Sequence, residues 1–171
     1  MDPGVIFDRY LSFNEHIDYL SSSLLGKLCQ INRVRHLFTK DVLSIILNSL
    51  VFSKLFYCST IWSGTSQQNI CTLQLLQNFA ARILTGKKKY DHISESIKYL
   101  GWLPINEMLQ LRYVTMVYKC WNGLAPNYLQ SKLVKRCIIH RYNTRRRNDI
   151  CVSTKRTVTA QRSFFDHAIS L

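Results

Sequence analysis

Acidic residues are scarce in this chain. Only 10 of its 171 residues are Asp or Glu, against 23 Lys or Arg, a formal net charge of +13. A surface so poor in carboxylates is a weak partner for cations and a good one for polyanions. The acids are also scattered, no two of them adjacent, whereas two-metal phosphoryl chemistry needs carboxylates that hold divalent ions about 4 Å apart. Six glycines and three prolines are too few for an all-β fold built on tight turns. The phosphate loop G-x-x-x-x-G-K-[ST], the dinucleotide fingerprint G-x-G-x-x-G, the nucleophile elbow G-x-S-x-G and the zinc-protease H-E-x-x-H are all missing. The usual catalytic signatures are thereby excluded, and neither a solenoid-length repeat nor a low-complexity tract occurs.

What is present suits a folded helical chain. Hydrophobic residues make up 47% and aromatic ones 12%, and a chain of this length can bury about 70% of the surface it exposes when unfolded. One domain and a tail are expected, mainly α, as a bundle of about five to six helices. Six cysteines form no disulfide framework, because Cys29, Cys58, Cys71 and Cys120 each fall inside an apolar helical pattern where a thiol behaves as a small hydrophobe. The N-terminus carries Asp2 where a signal peptide needs bases. An intracellular chain is the expectation. Val42 to Trp62 approaches the length of a membrane span, but Asn48, Ser49, Ser53 and Lys54 interrupt it near its centre. A wholly buried core helix is the plainer reading, and no membrane partner is expected.

Local signals place the elements. Val5, Ile6 and Phe7 suggest a short strand without a partner. Ser12-Phe13-Asn14-Glu15 has the S-x-x-E form of a capping box. Phe13, Ile17, Leu20, Leu24, Leu28, Ile31 and Val34 then share one face of a first helix over 13–37. Thr39 is placed to cap a second helix. Ile70, Leu73, Leu76, Ala80 and Ile83 mark a third, ending at Gly86. A shorter helix over 91–100 follows, and Pro104 opens a fifth whose Leu109, Tyr113, Met116, Val117, Cys120, Trp121 and Leu124 form a broad stripe ended at Gly123. Pro126 starts one more, to about residue 136. Beyond it Val152, Thr157, Val158 and Thr159 favour extended backbone, so 138–171 reads as loop with room for a hairpin, then a terminal helix over 163–169.

Charge is uneven along the chain. Residues 1–80 hold six bases and five acids, which leaves 17 of the 23 bases in 81–171, and that half is expected to meet phosphates. Lys87, Lys88 and Lys89 follow a helix C-terminus, where phosphate binding competes with the plainer role of complementing the helix dipole. Arg141, Arg145, Arg146 and Arg147, with Tyr142 among them and Lys155 and Arg156 nearby, combine forked donors with a ring on which a base can stack. Lys135-Arg136 ahead of the arginines has the form of a compact bipartite nuclear-import signal. Cys137, His140, Cys151 and His167 are soft ligands whose spacing matches no common zinc knuckle, so no metal site is expected. His16, His36 and His92 fall at or beside helix ends, where polar partners account for them.

Six segments in order resemble one family. They are Gly4-Val5-Ile6-Phe7-Asp8 with Leu11-Ser12-Phe13 and His16-Ile17; Leu55-Phe56-Tyr57-Cys58 with Ile61-Trp62; Leu76-Gln77-Asn78 with Ala80-Ala81-Arg82-Ile83; Leu100-Gly101-Trp102-Leu103-Pro104; Tyr118-Lys119 with Asn122-Gly123-Leu124-Ala125-Pro126 and Tyr128-Leu129; and Arg162-Ser163-Phe164-Phe165. Together they resemble the region downstream of the catalytic palm in reverse transcriptases of non-LTR (LINE-type, jockey-like) retrotransposons. The resemblance implies an RNA-directed DNA polymerase whose helical thumb grips a template-primer duplex, with 1–12 as the end of a palm, 13–136 as the thumb-like domain and 137–171 as a basic C-terminal segment. The polymerase motif Tyr/Phe-x-Asp-Asp does not occur in this chain. No catalytic residue is therefore assigned, and no cofactor is expected here, since the magnesium of the parent polymerase would have its ligands outside this chain. The expected partners are an RNA/DNA duplex, held through its phosphates, and the missing palm of the same polyprotein. The competing expectation is a helical protein-interaction module that binds no nucleic acid.

Overall fold

The computed structural model describes residues 4–134, 136–139, 145, 149–151 and 155–162. Helix dominates them. Helix α1 spans Asn14–Val34 and runs into a 3-10 turn at Arg35–Leu37. Helix α2 (Lys40–Leu47) is followed by a π-helical turn at Asn48–Phe52, then by the short α3 (Ser53–Leu55) and α4 (Ser59–Trp62). Helix α5 spans Gln67–Thr85, α6 Ser94–Tyr99, α7 Ile105–Trp121 and α8 Asn127–Gln130, with single turns α9 at Arg136–Ile139 and α10 at Val158–Gln161. The result is a mainly α bundle.

Helix α5 is its centre. It packs against α1, α2, α6 and α7, and α4 closes on α7. The stripe read from the first helix is buried from Phe13 to Ile31, and so is the whole stripe of α5. Helices α1 and α5 lie side by side in the same direction. At their starts the Asn69 side-chain amide donates to Asn14 Oδ1 at 2.8 Å, and the Thr65 hydroxyl donates to the Ser12 carbonyl at 2.8 Å. Fully buried Trp62, Leu24, Leu28 and Leu73 sit in the core, where truncating a leucine to Ala costs about 2–5 kcal/mol.

Several expectations change. Ser12 does not form a capping box: its amide and hydroxyl, which the box would use, both donate to Asp8, and the first helix opens at a left-handed Phe13 without a side-chain cap. Val5, Ile6 and Phe7 make no strand, although Val5 packs on the core. Thr39 does stand at the start of α2, but its side chain makes no capping bond.

The expected second helix is broken rather than continuous. A π turn shifts its register and Cys58 takes a left-handed conformation, φ 48°, so the chain turns before α4. It is not wholly buried either, since α1 and α5 cover one side and leave Val42, Ile45, Leu50 and Tyr57 exposed. Among the described residues no helix is long and apolar enough to cross a membrane.

Cysteines differ from the expected buried set: Cys29 and Cys71 are exposed, Cys58 is half-buried at the turn, and Cys120 is buried. Burial pushes the Cys120 thiol pKa up. On α7, Leu109, Tyr113 and Cys120 are buried, whereas Trp121 and Leu124 at the end of the expected stripe are exposed. His16 stands in the first turn of α1, as expected, with the Ile6 amide as its polar partner, but it is buried beside Trp62.

The C-terminal part folds back on the bundle. The Arg136 amide donates to the Asp149 carbonyl at 3.0 Å, and the Cys151 amide to the Val134 carbonyl at 2.8 Å, an antiparallel pairing of single residues. Thr157 is extended, as expected, and caps α10 with its side chain accepting from the Ala160 amide, whereas Val158 and Thr159 lie in that helical turn instead of extended backbone. A Cβ on Gly64 would lie 3.0 Å from the Arg162 carbonyl oxygen, so this turn touches the α4 end directly. The helix expected over 163–169 lies outside the described residues, as do His140 and His167 of the soft-ligand set.

Candidate nucleic-acid interface

The basic run begins where α5 must stop. Gly86 adopts φ 71° and its amide donates to the Arg82 carbonyl at 2.9 Å, ending the helix at the residue type that reaches this conformation without a Cβ penalty. Residues 87–92 then close on the last helical turn. The Lys88 amide donates to Asp91 Oδ2 at 2.7 Å, and the Asp91 amide returns to the Lys88 carbonyl at 3.2 Å. The Arg82 guanidinium reaches across the loop, donating to the Lys88 carbonyl at 3.2 Å and the Asp91 carbonyl at 3.4 Å. Lys87 Nζ donates to the His92 carbonyl at 3.0 Å, and Lys89 Nζ lies 5.8 Å from the centre of the Tyr90 ring.

Parallel packing of α1 and α5 brings a second set of residues to the same end of the bundle. Asn32 and Arg35 from the end of α1 join Phe79, Arg82, Lys87 and Lys89 around a recess of about 460 Å³. No acidic residue lines it. Asp91, the nearest acid in the loop, has turned its carboxylate to the Lys88 amide.

Two helix C-termini also meet here, each worth about half a negative charge. Four cations line the recess against about one negative charge from the helix ends, with Asp91 and Glu95 beside Lys87 in an adjoining recess, so the recess itself is net positive. Dipole compensation therefore accounts for only part of the basic excess. Arg82 spends two of its donors on the loop, and a guanidinium carries five. It can hold the loop and still offer N–H groups to an anion.

The residues expected from the sequence separate. Lys87 and Lys89 line the recess, while Lys88 is exposed and contributes its backbone to the loop. Arg145, Lys155 and Arg156 are exposed and stand outside the recess, and Arg141, Arg146, Arg147 and Tyr142 lie outside the described residues. Sequence reasoning missed Arg35, Arg82 and Asn32. Arg35 belongs to the nearly neutral first half of the chain, so counting charge by halves hid it. The available signal was that Arg33, Arg35 and Arg82 each close an amphipathic helix, but nothing local says that the two helix ends meet. Among the described residues, no group of three or more His, Cys, Asp and Glu is placed to hold a metal ion. Compared with protein-family models, with curated proteins and with solved structures, the chain matches none of them, so its own residues carry the functional reading.

Proposed function

We propose that this chain is the thumb-like helical part of a non-LTR retrotransposon reverse transcriptase, without polymerase activity of its own, and that it holds RNA or DNA through backbone phosphates. The observation that carries this reading is the convergence of Arg35, Arg82, Lys87 and Lys89 on one recess that no acid lines. Lys and Arg at the end of a rigid bundle contact phosphate oxygens without reading sequence. The six ordered segments of resemblance supply the family. On this reading the apolar residues Leu111, Val114 and Tyr118, exposed at helical spacing on α7, pack on the palm of the same polyprotein, and magnesium binds that palm.

A filter-binding salt titration with an RNA/DNA hybrid tests the proposal. If about five phosphates are neutralised, the log-log slope has a magnitude of about 4, and Arg35→Ala lowers it by about 1 at every sequence tried. Undetectable or salt-independent binding favours the second reading, a helical protein-interaction module, for which the exposed face of α7 is the supporting observation.

A further inference from the structure

A second cavity, of about 380 Å³, opens where the π turn, the Gly101-Trp102 turn and α7 come together. Its wall is aromatic. Phe52 meets Trp102 edge to face with centroids 4.8 Å apart, and stacks with Phe56 at 6.1 Å and 15°. Phe52 is buried, whereas Phe56 and Trp102 are half-buried residues packed against the core, so the wall is anchored from behind.

Polar groups converge on its rim. The Arg112 guanidinium carbon lies 4.6 Å from the centre of the Phe56 ring, and the described residues offer its N–H groups no acceptor. The guanidinium lies over the ring while its fork stays open, an arrangement that suits a carboxylate or phosphate. Asn48, on the π turn, also lines the cavity, and its side-chain amide makes no hydrogen bond among the described residues. No acidic residue lines the cavity.

The frame around it is fixed. Gln77 Nε2 donates to the Leu103 carbonyl at 2.9 Å, Gln74 Nε2 donates to Gln77 Oε1 at 2.8 Å, and Gln74 Oε1 accepts the Ile105 amide at 2.9 Å. These bonds tie the Trp102 turn to α5. A π turn inside a helix is a feature found often at functional sites.

We propose that this cavity binds a planar aromatic anion: one ring system against the Phe56 and Trp102 wall, with its phosphate or carboxylate on Arg112 and a polar ring edge on Asn48. The volume lies in the range of small-ligand sites, which are mostly apolar with a few convergent polar groups. It admits a ring system and one anionic group rather than a duplex, so the site is separate from the basic recess and does not depend on it.

Ligand-detected saturation-transfer NMR on the full chain tests this with adenosine monophosphate, 2-naphthoate and the neutral 2-naphthylmethanol as probes. The expected result is saturable binding of at least one anion, with 2-naphthylmethanol at least about tenfold weaker than 2-naphthoate, the worth of a charge-assisted hydrogen bond. Tighter binding of the nucleotide identifies a phosphate ligand, and tighter binding of naphthoate a carboxylate one. Arg112→Gln, an exposed position whose circular dichroism confirms the fold, should bring the anions down to the level of the neutral probe. Phe56→Leu should weaken all three probes. Lys98→Gln, at an exposed cation that lines neither the cavity nor the basic recess, should weaken none of them. The proposal is overturned if no probe binds at millimolar concentration, if the neutral probe equals naphthoate, or if binding follows Lys98 instead of Arg112.

Discussion

The Asp8 carboxylate accepts the Phe13 amide at 2.7 Å through Oδ1, while Oδ2 takes the Ser12 amide at 2.9 Å and the Ser12 hydroxyl at 2.8 Å. Phe13 begins α1 in a left-handed conformation that a bulky side chain rarely takes, and its near-complete burial and this carboxylate hold it there. Desolvation works against ionisation of Asp8, but the bonds from Ser12, Phe13 and Tyr10 outweigh it and lower the pKa from 3.8 to about 2.

Asp8→Ala should therefore destabilise the chain by about 1 kcal/mol or more, the net worth of a partly buried hydrogen bond, in urea unfolding at neutral pH. The folded pKa lies below the unfolded one, so the unfolded state binds more protons between them. The contribution of Asp8 is present above about pH 4 and fades as the pH falls toward 2. In Asp8→Ala that part of the acid dependence should vanish.

His16 titrates in a different window. The Ile6 amide donates to its Nδ1 at 3.4 Å, which requires an unprotonated nitrogen there, and burial lowers its pKa below 6.5. A base with a depressed folded pKa contributes stability that is complete above 6.5 and is lost as the pH falls toward the folded value. Urea midpoints should drop between about pH 8 and about pH 5.5, and His16→Gln should flatten that drop.

Arg82 closes the 87–92 loop as well as lining the recess. Arg82→Gln removes its bonds to the Lys88 and Asp91 carbonyls. Amide exchange over 87–92 should accelerate by about tenfold, with global stability lower by about 1 kcal/mol. Arg35→Ala should weaken nucleic-acid binding without changing that exchange, because no hydrogen bond of the loop uses the Arg35 side chain.

Gly64→Ala should act at a distance in sequence. Its new methyl would meet the Arg162 carbonyl oxygen at 3.0 Å, a backbone atom that must move. Tryptic cleavage after exposed Arg156 should quicken, while the urea midpoint of the bundle changes little, since the buried stripes of α1 and α5 are untouched.

Thiol accessibility separates the cysteines. Maleimide should label Cys29 and Cys71 in the folded chain and leave buried Cys120 unmodified until denaturant is added. Mass mapping of the labelled peptides reads the result.

Legibility in the sequence followed the range of the interactions. Apolar spacing alone marked α1 and α5 and most of the residues they bury, Val34 being exposed and His16, Gln77, Ala81 and Leu84 buried outside the stripes, and Gly86 marked the end of α5, because periodicity and helix termination are properties of a few neighbouring residues. Tertiary structure decided the rest. The capping box at Ser12 is lost because the chain before the helix folds back to present the Asp8 carboxylate to the Ser12 amide and hydroxyl. The second helix broke at Cys58 because α4 must close on α7. Arg35 joined Arg82 and Lys87 only because α1 and α5 lie side by side in one direction, bringing residues about fifty positions apart to the same end of the bundle. Spacing along a chain specifies which face of a helix is apolar; which ends of two helices meet depends on how those faces pack, and no local pattern records it.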